Sequence, residues 1–439
     1  MQRILSISSF KKGAAALLTA ALAVAGIYVH SLIVEKRDFN VDKSSFFKDR
    51  EYDVLFFGTS HVRLGLNPFQ LYRDYGITSY NLATNAQKSC FSYYTLKEAV
   101  RVHKPQLAVL DVYLCRLDFP DQTDDEEKTN FHYIFDNFPV SRNKIHAEKE
   151  LFGTDDRWLV LPYATYHNRW KEHLFSFRQL WNNGSFSDSG KNYANGFCPC
   201  FSVSDGIPGY ETMRRIGDDE CLVDEDTDSI AYIKHFVAFC TENGIQPVLV
   251  YLPPPCGILQ QQEANSMQRI AEEFHVPYYN FLPVTAEIID WRTDFNDGCV
   301  GDENIVHDSI VNGNIHLNLS GANKMTTRLG RILRDDFGLA DHRGGRGHEA
   351  WEADYREYRS YILGEIGKLN DLDDLLMSCS FEGLSVTLYT AAGTEFDDVQ
   401  QRLIAQLGNR ITVIRDYDGY ARIVVTDDES GSIVADVSF

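Results

Sequence analysis

The sequence predicts an α/β fold built on a parallel sheet with helices on both faces. Three observations carry that prediction. Strand-like and helix-like segments alternate from Tyr52 onward and again from Asp228, the pattern of βαβ units. The run Gln-Leu-Ala-Val-Leu-Asp-Val-Tyr at 106–113 is apolar on both faces, as a strand covered on two sides must be. Finally, Gly58-Thr59-Ser60-His61 closes the apolar run Val54-Leu55-Phe56-Phe57. That is the strand end beyond which such sheets bind their ligands.

Taken in order, residues 52–57 read as the first strand and 67–75 as a helix with Pro68 in its first turn. Residues 79–82 follow as a strand, 93–103 as a helix and 106–113 as the third strand. Residues 118–228 are less regular, rich in aromatic and polar side chains, with a loop-like stretch over 182–205. The alternation resumes with a helix at 228–244 and a strand at 247–251, which Pro253-Pro254-Pro255 stops. A helix at 260–274, a strand at 277–281 and a helix at 320–337 complete the set. From Asp341 the composition turns charged and glycine-rich. A helix at 351–369 then leads into a small block reading β–α–β–β at 384–389, 396–407, 411–415 and 421–425.

The chain has 439 residues, 44% of them hydrophobic and 13% aromatic. This composition supports a real core and excludes global disorder. A formal charge of −21 repels phosphate backbones and argues against nucleic acid as a partner. It also argues against docking on anionic lipid through a basic patch. Residues 13–34 hold no Asp, Glu, Lys or Arg, a stretch long enough to cross a bilayer, which takes ~20 apolar residues. Arg3, Lys11 and Lys12 precede it and charges of both signs follow. The positive-inside rule then leaves the N-terminus cytoplasmic and the rest of the chain outside. A cleaved signal peptide is the competing reading, with Ala23-Val24-Ala25 as its processing site. Both readings export the remainder. The nine cysteines are odd in number and scattered, which reads as buried thiols with an occasional bridge. Cys198-Pro199-Cys200 lacks a neighbouring ligand pair, so neither a metal nor another cofactor is expected.

Acyl transfer needs a nucleophile, a base, a group to orient the base, and donors for the oxyanion. Ser60 follows a glycine that permits a sharp turn, and its own N–H is one candidate oxyanion donor. The loop Asn81-Leu82-Ala83-Thr84-Asn85 leaves the same end of the sheet, with the Ala83 amide and the Asn85 side chain as further donors. His316-Leu317-Asn318-Leu319-Ser320-Gly321-Ala322 opens a late helix and supplies His316 as the base. His61 and the cluster Tyr166-His167-Asn168-Arg169-Trp170 offer substrate contacts, Arg169 for an anionic or hydroxyl-rich ligand and Trp170 for stacking on a sugar.

On these motifs the chain resembles the SGNH/GDSL hydrolase superfamily, in the membrane-anchored exported branch related to DltD, AlgJ and AlgX. Gly58-Thr59-Ser60-His61 matches the first block, Tyr80-Asn81-Leu82-Ala83 the second, and His316-Leu317-Asn318 the last. The third block, Gly-x-Asn-Asp, is absent. The acid normally three residues before the histidine is also missing, since that position is Gly313. Trp291-Arg292-Thr293-Asp294-Phe295-Asn296-Asp297 looks like the stretch that ends in this acid. Asp297 is therefore expected to orient His316 across an insertion at 298–315, with Asp308 and Asp294 as alternatives.

The resemblance implies a flavodoxin-like sheet and a serine esterase or acyltransferase acting on acyl esters of cell-surface glycans or small acylated substrates. It also implies an integral-membrane acyltransferase as partner. A catalytically silent scaffold that binds polysaccharide or such a partner is the alternative. The expected organisation is a cytoplasmic tail at 1–12, an anchor at 13–34 and a stalk at 35–50. A hydrolase-like domain at 51–340, a linker and helix at 341–369 and a small α+β domain at 370–439 follow.

Overall fold

The structure, a computed structural model, describes residues 7–34, 43–113, 115, 125–153, 192–203, 215–221, 227–253, 257–296, 305–306, 309–310 and 316–439. The chain divides into two compact units, Met1–Asp42 with Asp121–Lys191, and Lys43–Pro120 with Asn192–Phe439.

In the first unit the helix Ile7–Val34 contains the stretch Lys11–His30, of mean hydropathy 1.7 and with none of its surface buried. It is long and apolar enough to cross a membrane, and Leu17, Leu18, Leu22 and Ile27 are exposed along it. Helices Asp125–Phe135 and Arg142–Phe152 lie in the region expected to be irregular. Phe131 packs at a tilt against Phe135 and meets the edge of Phe152. The buried Lys144 ammonium donates to the Phe135 carbonyl at 2.8 Å.

The second unit holds a five-stranded parallel sheet: β1 (Val54–Phe57), β2 (Ser79–Asn81), β3 (Leu107–Asp111), β4 (Gln246–Tyr251) and β5 (Tyr278–Asn280), in the order 2-1-3-4-5. This is the flavodoxin-like order, whose ligand crevice opens where β1 and β3 diverge. Every residue of β1 and β3 is buried, which explains why both read as unbroken apolar runs. Burying each ring of Phe56 and Phe57 contributes about 1.5–3 kcal/mol. Helix Ser89–Val100 packs against Asp228–Glu242, and right-handed crossovers, the rule for parallel strands, place that pair on the face opposite helix Pro68–Tyr75. After β5 the chain returns as helix Leu319–Phe337, which packs against Pro68–Tyr75. Between these, β6 (Ile305–Val306) and β7 (Ser309–Ile310) pair antiparallel inside the expected insertion.

Residues 43–50, expected as stalk, are built into this unit. Phe46 is fully buried among Tyr52, Tyr80 and His103. Lys43 is 1% exposed, and its ammonium donates to the carbonyls of Asn81 (2.8 Å), Ala83 (3.0 Å) and Gly196 (3.3 Å). A buried cation costs several kcal/mol unless it is satisfied in this way.

Helix Glu349–Ile366 packs on the first face of the sheet domain. Trp351 stacks on Tyr72, Tyr358 stacks on Phe69, and the Asn67 amide donates to the Tyr358 hydroxyl at 2.7 Å. The C-terminal block carries β8 (Leu384–Tyr389), β9 (Ile411–Ile414), β10 (Arg422–Asp427) and β11 (Ile433–Ser438) in the order 11-10-8-9, with helix Asp398–Leu407 as the β8–β9 crossover. The edge strand β11 and the seven-residue helix Leu372–Ser378 are additions to the expected β–α–β–β. β11 keeps only Ala435 buried, so it lacks the apolar alternation by which a strand is recognised. Among the described residues no disulfide joins two cysteines.

Candidate active site

Ser60 is the first residue of the short helix Ser60–Gly65, three positions beyond the end of β1. The turn that places it there depends on Gly58, at φ +143°. A Cβ on that residue would lie 2.7 Å from Val62 Cγ2 and 2.8 Å from Asp111 Cβ. The Thr59 hydroxyl then accepts from the His61 N–H at 3.3 Å and caps the helix. As the first helical residue, Ser60 has no carbonyl one turn back for its own N–H to bond. That donor is available at the site.

His316 arrives from the other side of the molecule. The Asn296 N–H donates to the His316 carbonyl at 3.0 Å, and the Asn318 N–H donates to the Asp294 carbonyl at 3.0 Å. Phe295 and Leu317 form an antiparallel bridge between these strands of backbone. The two ends of the 298–315 insertion are thus held side by side, as an inserted loop requires. Asn318 caps helix Leu319–Phe337 by accepting from the Gly321 N–H at 3.1 Å. Its amide nitrogen donates to the carbonyls of Thr293 (2.8 Å), Phe295 (3.1 Å) and Ser202 (3.3 Å). So fixed, His316 Nε2 lies 2.8 Å from Ser60 Oγ, although 256 residues separate them.

Burial, and then the positive charge of Arg63, lower the His316 pKa to about 4. The imidazole is therefore neutral at physiological pH, the form in which Nε2 accepts the serine proton. His61 is 7% exposed, and its ring centroid lies 4.2 Å from that of Tyr113 and 5.7 Å from that of His316. Burial, and then His316, lower its pKa to about 3, so it stands beside the pair as a second neutral imidazole. Asp111, behind the Gly58 turn, accepts from the Leu252 N–H at 3.2 Å. Burial raises its carboxyl pKa to about 7.

The Ala83 N–H is committed to Asn81 Oδ1 at 3.1 Å, while the Asn81 amide nitrogen ties this loop to the carbonyls of Val62 and Leu66. Asn85 Oδ1 accepts from Arg63 Nη1 at 2.8 Å, which leaves the Asn85 NH₂ as its donor end. Asp294 is fully buried, accepts from the Asp290 N–H at 2.6 Å and binds Lys324 Nζ through both oxygens (2.8 and 2.7 Å). It serves Lys324 and not His316. Asp297, Asp308, Arg169 and Trp170 lie outside the described residues. Among the described residues no carboxylate hydrogen-bonds His316.

Arg63 is the site residue that motif reading missed. It is one helical turn after Ser60, only 4% exposed, and its charge acts on His316. The available signal is an arginine inside the otherwise apolar Val62–Leu66 stretch. Replacing Arg63 with Gln removes a charge that opposes imidazolium formation. The His316 midpoint, followed through its ring-proton resonance, is expected to rise from about 4. It should stay below the unperturbed ~6.5 because burial persists. An unchanged midpoint would assign the whole depression to burial.

No family model and no curated protein matches the chain. Among solved structures it is similar to an inferred acylhydrolase from Bacteroides fragilis, at 10% identity and a TM-score of 0.30. The match covers 69% of this chain and 99% of that one. A likeness that loose leaves the functional case to the geometry.

Proposed function

We propose that this chain is a serine esterase or acyltransferase of the SGNH/GDSL type, with Ser60 as nucleophile and His316 as base. The observation that carries the reading is the 2.8 Å contact between His316 Nε2 and Ser60 Oγ at the carboxyl end of β1. Ser60 Oγ attacks an ester carbonyl as His316 Nε2 takes its proton. The imidazolium then protonates the departing alkoxide and leaves an acyl-Ser60 ester. Water or a sugar hydroxyl, deprotonated in turn by His316, resolves that ester. The Ser60 N–H and the Asn85 NH₂ are the oxyanion donors of this scheme, and Asp297 is the orienting acid. The apolar helix Ile7–Val34 supports a membrane-tethered enzyme whose catalytic unit faces outward. Acyl esters of a cell-surface glycan are then the substrate class, with an integral-membrane acyltransferase as donor partner.

The commitment of the Ala83 amide to Asn81 favours a second reading, a silent scaffold that binds the polysaccharide. A fluorophosphonate probe separates the two. It is expected to label the full-length protein and to leave the Ser60→Ala variant unlabelled. Absence of labelling in the wild type, with glycan binding intact, selects the scaffold.

A further inference from the structure

A cavity of about 450 Å³ lies where helix Leu319–Phe337 faces the C-terminal block. That volume is within the ~300–1,000 Å³ of small-molecule sites. Five basic side chains and two acidic ones line it, in a chain whose net charge is −21. Lys324, Arg328 and Arg331 stand at positions i, i+4 and i+7 of the helix and so share one face. Arg73 enters from helix Pro68–Tyr75, and Arg410 from the C-terminal block.

These cations differ in how they are neutralised. Arg410 donates to the carbonyls of Cys379 and Phe381, and Arg73 pairs with Asp74 and Glu382. Lys324 pairs with Asp294. Among the described residues no carboxylate reaches ion-pair distance of Arg328 or Arg331, and Arg328 Nε is buried without a hydrogen-bond partner. The Ser320 hydroxyl, on a residue 1% exposed in the same lining, is also buried and unpartnered. Arg328 and Arg331 stand at i and i+3 of the helix, a spacing at which like charges repel, and a buried N–H left unmade is costly. Both conditions are relieved by one multiply charged oxyanion, whose oxygens match the forked donors of arginine.

We propose that this cavity is a binding site for a phosphate group, held by Arg328 and Arg331 on the helix face and lined on the other side by the C-terminal block. The site is separate from Ser60 and does not depend on the esterase reading. Its ligand is a phosphate ester or free phosphate. Inorganic phosphate and a sugar phosphate, titrated calorimetrically into the full-length protein at fixed ionic strength, distinguish these two sources by which binds more tightly. The Arg328→Gln/Arg331→Gln variant is expected to lose affinity by about tenfold or more, because charge-assisted hydrogen bonds are removed. Arg334→Gln, which alters an exposed arginine on the same helix already paired with Asp335, is the control and should bind as wild type. Fluorophosphonate labelling of Ser60 should be the same in all three proteins. No binding by the wild type at millimolar ligand, an unchanged affinity in the double variant, or equal binding of malonate overturns the proposal.

Discussion

Changing His316 to Ala is expected to lower kcat/KM for a small ester such as 4-nitrophenyl acetate by about 10⁴-fold, the upper range for loss of a general base. The size follows from the geometry. Ser60 Oγ has His316 Nε2 at 2.8 Å, and an unassisted hydroxyl is a poor nucleophile at neutral pH. The pH dependence sharpens the test. His316 is depressed to about 4 by burial and by Arg63, so the neutral base persists as the medium is acidified. The acid limb of kcat/KM, which reports the free enzyme, should therefore fall near pH 4 and not near 6.5. If His316→Ala retains more than a tenth of the wild-type rate, this pair is not the reacting pair.

Gly58→Ala should damage stability and activity together. The residue sits at φ +143°, where a Cβ would come within 2.8 Å of Val62 Cγ2 and Asp111 Cβ. Backbone strain of about 1–3 kcal/mol adds to overpacking of about 1–3 kcal/mol. A fall in Tm of about 5 °C is expected, because a unit this large shifts by only about 1.5 °C per kcal/mol. Relief of the clash also moves the Ser60 turn away from His316, so the folded fraction should label poorly with fluorophosphonate. A variant with wild-type Tm and labelling would show that the turn does not need glycine.

Much of this architecture was legible in the amino-acid order because a few segments carry unambiguous patterns. β1 and β3 are buried on both faces and are written in apolar residues. Ser60 and His316 each stand at a junction that local chemistry marks, a strand ending in Gly58 and a helix opened by the Asn318 cap. The rest is decided by contacts distant in sequence. Nothing local says that Asn81 will take the Ala83 N–H, or that Asp294 will answer Lys324 thirty residues on. Arg63 looks like a surface residue until the fold buries it beside His316. Helix Leu372–Ser378 is too short to show a period, and β11 has too little burial to alternate.

The buried Lys43 sets a lower limit on how much of the chain can be cut away. Its ammonium ties the Asn81–Ala83 loop to Gly196, so the loop beside Ser60 rests on a residue only nine positions beyond the apolar helix. Cleavage at Ala23-Val24-Ala25 would leave this tie intact, since Lys43 lies beyond it. A fragment begun at residue 51, where the alternation of strands and helices first becomes readable, would lose both Lys43 and Phe46. It would leave the Asn81–Ala83 loop beside Ser60 without its clamp. A fragment that keeps this clamp therefore starts at or before residue 43.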